Sequence, residues 1–155
     1  MFRCLSIIDS WRCNEAQQIF FESLPDRFKD KVIFVIQKQE EHLFLNKNTL
    51  VVDNNIGIAK TREIIYKTAG TKRYLIVDDD VLLYRRNAKY FSKPSNMKGA
   101  KRLLLDNDWN ELLQRLNDQH DNNHIMCGFK FSSILPRFDQ PIFHNGGIFA
   151  VFSID

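Results

Sequence analysis

The sequence predicts an α/β fold with a parallel or mostly parallel sheet and helices on its faces. Three observations predict it. Apolar runs of strand length alternate with stretches of helical periodicity in the order β-α-β-β-α-β. The run KVIFVIQ at residues 31–37 is continuously apolar and flanked by charge, as a strand buried on both faces is. The acidic, Asn/Gly-rich and polar segments fall at the carboxyl ends of the strands, where ligands bind in such sheets.

The elements follow in order. Residues 3–9 (RCLSIID) form a first strand. Residues 14–24 form a helix, with Asn14 as N-cap and Ala16, Ile19, Phe20 and Leu24 on one face; Pro25-Asp26 ends it. The strand 31–37 leads into a polar connection, 38–48, with the apolar insert Leu43-Phe44-Leu45. Residues 50–52 are a short third strand and 54–57 (NNIG) a turn. A helix follows over 58–69, closed by Gly70. The strand 73–77 ends in Asp78-Asp79-Asp80. Residues 85–100 form a long loop with Pro94 and Gly99, residues 109–116 a short helix, and residues 125–132 and 148–152 two further strands.

The 155 residues fit one domain, 1–155, large enough for a proper core, and the thirteen Phe supply much of it. A net charge of +3 does not by itself imply nucleic acid, but its distribution is uneven. Residues 85–102 hold seven Lys/Arg and no acid, with Tyr84, Tyr90 and Phe91 interleaved. Such a stretch reads as a lid over a bound nucleotide, a dock for a polyanionic acceptor including DNA, or a solvated loop. Cys4, Cys13 and Cys127 are odd in number and lack ligand spacing, which suits reduced thiols and a cytoplasmic setting. No signal peptide, membrane span, repeat or low-complexity tract is evident.

Asp78-Asp79-Asp80 is the most informative motif. Three adjacent carboxylates repel one another along a strand, but at its tip they can converge on a divalent cation. Mg²⁺ and Mn²⁺ favour oxygen ligands and share them with substrate phosphates. Upstream, Gly57 lets the backbone turn sharply into the helix, and Arg62 in its second turn can reach back to the same rim. The plainer alternatives are a solvated acidic turn and, for Arg62, an ion pair with Glu63 or Asp53.

The stretch NNIGIAKTREIIYKTAGTKRYLIVDDDV resembles the donor-site core of family 2 glycosyltransferases, which have the GT-A fold. The family pattern has Asn-x-Gly, an Arg five residues after the Gly, Ala-Gly closing the helix and an apolar strand ending in Asp-x-Asp. Asn55, Gly57, Arg62, Ala69-Gly70 and Asp78-x-Asp80 stand at those offsets, and the resemblance covers residues 3 to about 83. It implies a GT-A-like three-layer α/β/α sandwich with a mostly parallel (mixed) central sheet. Residues 1–83 would be the nucleotide-sugar donor half and 84–155 an incomplete acceptor-side half.

The roles it implies are specific. Asp80 would hold Mn²⁺ or Mg²⁺, and Asp78 would contact the ribose or the metal. Asp79 joins the donor-binding set. Arg62 would lie near the phosphates, with Asn55 and Gly57 shaping the loop beside the nucleotide. Asp9, Ser10 and Trp11 would sit against the base. Gly146 and Gly147 would line the donor sugar, and His144 would donate to a hydroxyl or complete the metal site. The ligand would be a nucleotide-diphosphate sugar, foremost a UDP-sugar, and the acceptor a saccharide, protein or nucleic acid.

The chain departs from the family in three places. Gln37-Lys38 ends the second strand where an acid is usual, with Asp53 as a substitute. The first loop lacks Pro. At 155 residues the chain is short for a catalytic domain, so truncation is expected, and Asp155 and His144 are the only candidates for a base. Two other classes stand beside a transferase: a non-catalytic or truncated GT-A-like nucleotide-binding domain, and a phospho-receiver suggested by Leu75–Asp80. In a receiver the acidic strand opens the domain, whereas here it comes midway.

Overall fold

A computed structural model of the protein describes residues 19–78, 81–87, 99, 101–128 and 151–155; of residues 86, 151 and 152 it describes the backbone. The chain is mixed helix and strand. Helices α1 (Ile19–Ser23) and α2 (Asp26–Lys29) flank Pro25. Strand β1 (Phe34–Gln37) leads through a 3₁₀ segment, Lys38–Leu43, to β2 (Thr49–Val52). Helix α3 (Ile58–Ala69) and β3 (Tyr74–Val77) follow, then β4 (Tyr84–Arg86), β5 (Lys101–Leu103), α4 (Asp106–Asp121), β6 (Met126–Gly128) and β7 (Val151–Ile154).

β1 and β2 are parallel, with Phe34 beside Thr49 and Gln37 beside Val52. The other described sheets are antiparallel. β7 lies between β3 and β6 and runs against both. β4 and β5 form a two-stranded ribbon that brackets the segment 85–100 expected as a loop, β4 overlapping its first residues. The expected predominance of parallel pairing is therefore not seen among the described strands: one pair is parallel and three are antiparallel.

Packing explains why the strand sequences are so uniformly apolar. Phe34 and Ile36 of β1 enter one buried cluster and Val35 enters another. β3 divides likewise, with Leu75 and Val77 on one side and Tyr74 and Ile76 on the other. The first cluster is covered by Phe20 and Leu24 near α1 and by Trp109 and Leu116 of α4. The second is covered by Ile65 and Ala69 of α3, together with Val52 of β2. A strand that alternates sides yet buries every residue needs apolar side chains throughout.

Five of the thirteen Phe, namely Phe20, Phe21, Phe28, Phe34 and Phe44, pack in the first cluster. Phe34 meets Phe21 and Phe44 at 5.1 and 5.4 Å between centroids, and Phe20 meets the Trp109 ring edge-on at 6.0 Å. On α3, Lys60 and Lys67 both bond Glu63 on the solvent side, at 2.8 and 2.6 Å.

The last helix is twice the expected length. It begins where the Leu105 N–H donates to the Asp108 carboxylate at 2.7 Å. It ends by inserting His120, only 3% exposed, one turn after Leu116. His120 Nδ1 lies 2.6 Å from the His124 carbonyl, and Nε2 lies 2.9 Å from Ser153 Oγ on β7. His120 is a buried tie between α4 and the β3-β7-β6 sheet.

Candidate functional site

The candidate site draws on the residues that follow the carboxyl ends of β1, β2 and β3. Parallel pairing puts the ends of β1 and β2 side by side. The chain leaves β2 through Asn54-Asn55 and locks onto the end of β1 by two hydrogen bonds. The Gln39 N–H donates to Asn54 Oδ1 at 3.0 Å, and the Asn55 N–H donates to Gln37 Oε1 at 3.0 Å. The Gln37 N–H in turn donates to Glu40 Oε2 at 3.1 Å. Gln37, a departure from the acid expected at this position, is the residue that fixes the loop. Asp53, the substitute acid, is exposed at the end of β2.

The loop then reverses into α3. Asn55 has φ +60°, and Gly57 has φ +78° with ψ 159°, a conformation open essentially to glycine alone. Gly57 is the N-cap of α3, and no side chain caps its first turn. No acid lies in that turn either. The Gly57 carbonyl accepts the Thr61 N–H at 3.1 Å and the Thr61 hydroxyl at 3.0 Å. The helix start therefore presents backbone N–H groups and a positive dipole end at the rim.

Arg62 sits in the second turn of α3, half-buried. Of the acids weighed as its surface partners, Glu63 is engaged by Lys60 and Lys67, whose hydrogen bonds lower its carboxyl to about 2. Asp78 follows Val77 at the carboxyl end of β3 and is half-buried. Ile65 and Ala69 of α3 pack in one cluster with Val35 of β1, Val52 of β2, and Tyr74 and Ile76 of β3. Asn55 and Gly57 thus follow the carboxyl end of β2, Arg62 lies in the second turn of α3, and Asp78 follows the carboxyl end of β3.

Asp155 is not with them. β7 runs against β3, with Ile154 beside Tyr74 and Val151 beside Val77. Asp155 therefore lies at the opposite end of β3 from Asp78. There it accepts from Arg73 Nε at 2.8 Å and from Arg73 Nη2 at 3.1 Å. Those bonds hold its carboxyl below the usual carboxylate range. This position takes away the ground for Asp155 as a base at the rim: it is an ion-pair partner that ties β7 to the start of β3. Strand direction decides the matter, and the local sequence does not encode it.

The remaining candidates, Asp9, Ser10, Trp11, Asp79, Asp80, His144, Gly146 and Gly147, lie outside the described residues. Among the described residues no three His, Cys, Asp or Glu side chains converge as a cation site. No described helix is long and apolar enough to cross a membrane.

A second charged constellation was missed from the sequence. Asp108, 5% exposed at the start of α4, accepts from Arg85 Nη1 at 2.8 Å and Arg102 Nη2 at 3.0 Å, besides the Leu105 N–H. The Arg102 and Leu105 bonds, with that of Arg85, hold its carboxyl far below the usual range. The available signal was an acid three residues into a helix, the spacing that reaches back to an N-cap N–H.

Comparison with family models, with curated proteins and with solved structures finds no match.

Proposed function

We propose that this chain binds a nucleotide-diphosphate sugar at the rim and, with a divalent cation, transfers the sugar to an acceptor on a GT-A-like α/β/α frame. One observation carries the reading. The Gly57 turn after β2 opens a helix that no side chain caps, with Arg62 one turn on, and the strand that follows this helix ends at Asp78. Uncapped N–H groups and a guanidinium are what a diphosphate takes up. The frame is supported by β1 and β3 sharing both buried clusters, with α3 on one side and α4 on the other.

Asp78 and Asp80 would hold the cation. Carboxylate oxygens are hard donors suited to Mg²⁺ or Mn²⁺, and the cation would neutralise charge as the sugar–phosphate bond breaks. The chain's own contributions are distinct from that. The Gln37–Asn55 and Gln39–Asn54 bonds fix the loop geometry, and the α3 N–H groups and Arg62 stabilise the leaving diphosphate. A second reading, nucleotide binding without transfer, is favoured by the pairing of Asp155 with Arg73 at the far end of the sheet.

The test is a thermal-shift screen with UDP, GDP, CMP and TDP sugars, with and without Mn²⁺, on the parent chain and on Asp80→Ala and Asp78→Ala. At a hundred times its Kd a ligand adds about 2.7 kcal/mol. Stabilisation by one donor that needs Mn²⁺ and is lost in both variants supports the donor site, and release of free nucleotide on adding acceptor distinguishes transfer from binding. No shift with any donor overturns both readings.

A further inference from the structure

The β4–β5 ribbon carries charge for which the donor site has no use. Its register sets Arg85 opposite Arg102 and Arg86 opposite Lys101. Like charges directly across a ribbon repel, so the pairing needs an external anchor. Asp108 supplies it, with a buried carboxylate that accepts from both Arg85 and Arg102. Glu111 accepts from Arg85 and from Arg115. The two ribbon guanidinium side chains nevertheless remain 44% and 49% exposed. Three Arg against two carboxylates leave this cluster positive before Arg86 and Lys101 are counted. The sequence from 85 to 102 adds further lysines and no acid.

The anchor also makes the ribbon rigid. The Arg85 and Arg102 guanidinium groups are held in place before any partner arrives, which lowers the ordering cost of binding. A two-stranded ribbon is one of the shapes that the major groove of a duplex admits. Single strands are held by bases stacked on open aromatic faces. On this ribbon the exposed ring is Tyr84, and Lys101 Nζ lies 4.2 Å over it. A membrane-surface element is ordinarily an amphipathic helix with an apolar face, which this is not.

We propose that the β4–β5 ribbon binds duplex nucleic acid through its phosphates, without reading base sequence. The inference stands apart from the donor site: either could fail while the other holds.

The experiment is a fluorescence-anisotropy titration of the full chain against a labelled duplex of about 20 bp, from about 50 to 200 mM salt. The duplex is expected to bind with an affinity that falls linearly with salt on a log–log plot, each phosphate contact contributing about 0.9 to the slope. Lys101→Gln and Arg86→Gln, which keep Arg85, Arg102 and Asp108 unchanged in sequence, should each lower that slope by about 1. Circular dichroism confirms that both remain folded. A single strand of the same length should bind more weakly. The inference is overturned by absence of duplex binding at the lowest salt, or by slopes unchanged in both variants. It is equally overturned if the single strand or phosphatidylserine vesicles bind at least as tightly as the duplex. Donor-induced thermal stabilisation, read on the same variants, should be unchanged.

Discussion

Replacing Gly57 with Ala isolates the backbone conformation on which the proposed site depends. Gly57 has φ +78° and ψ 159°, and Gly70, at the other end of α3, has φ +62° and ψ −128°. At both positions an added Cβ would meet nothing within 4 Å, so the cost is conformational and not a collision with neighbours. An L-residue held in such a region costs about 1–3 kcal/mol. Restricting the unfolded chain returns about 0.4–1 kcal/mol. The net loss should be roughly 1–2 kcal/mol at either site. For a domain of this size that lowers the melting temperature by about 2–8 °C.

Urea unfolding and thermal melts of Gly57→Ala and Gly70→Ala should therefore agree with each other. They should part in ligand binding. Gly57 sets the direction in which Asn55 and the first turn of α3 face the rim, whereas Gly70 lies at the far end of the helix. Gly57→Ala should lose nucleotide-sugar stabilisation and Gly70→Ala should keep it. A Gly57→Ala protein as stable as the parent would refute the conformational argument. Equal loss of binding in both variants would refute the placement of the site.

Two further predictions concern the rest of the frame. Ser153→Ala removes a fully buried hydroxyl 2.9 Å from His120 Nε2 and should cost about 1–3 kcal/mol in urea unfolding, with a neutral result refuting the tie between α4 and β7. The carboxyls of Glu63, Asp108, Glu111 and Asp155 are all lowered by their Lys or Arg partners. Their folded values lie below the unfolded ones, so their contribution is fully present above the unfolded values near pH ~4 and is lost as pH falls through the folded ones. Urea midpoints should decline between about pH 5 and pH 2, less steeply in Asp108→Asn, and a flat profile would contradict these pairings.

Helix α3 was legible to the residue, because Gly57 and Gly70 bracket a clear apolar period. β1 and β3 were legible because two-sided burial leaves Phe34–Ile36 and Tyr74–Val77 as unbroken runs of buried, uncharged residues. The β4–β5 ribbon was not. Its strands are three residues long, set like charges opposite each other and depend on Asp108 of another element. The length of α4 was hidden because His120 takes a core position that periodicity assigns to an apolar residue. Around the candidate site, the sharp turn at Gly57 and the place of Asp78 just after β3 were legible in the sequence. The role of Gln37 was not, because it depends on a hydrogen bond across eighteen residues. Nor was the separation of Asp155 from Asp78, which follows from the direction of β7.

The order β3-β7-β6 has a kinetic consequence. The middle strand comes later in the chain than both of its neighbours, and Tyr74 must wait for Ile154. Until β7 is in place, β3 and β6 each lack the partner it provides, and β3 is wholly apolar. Pairings this remote in sequence close slowly. During synthesis, strand edges left open in this way recruit other chains. Yield on expression should therefore depend on how quickly residues 151–154 find their place, more than on the stability of the finished sheet.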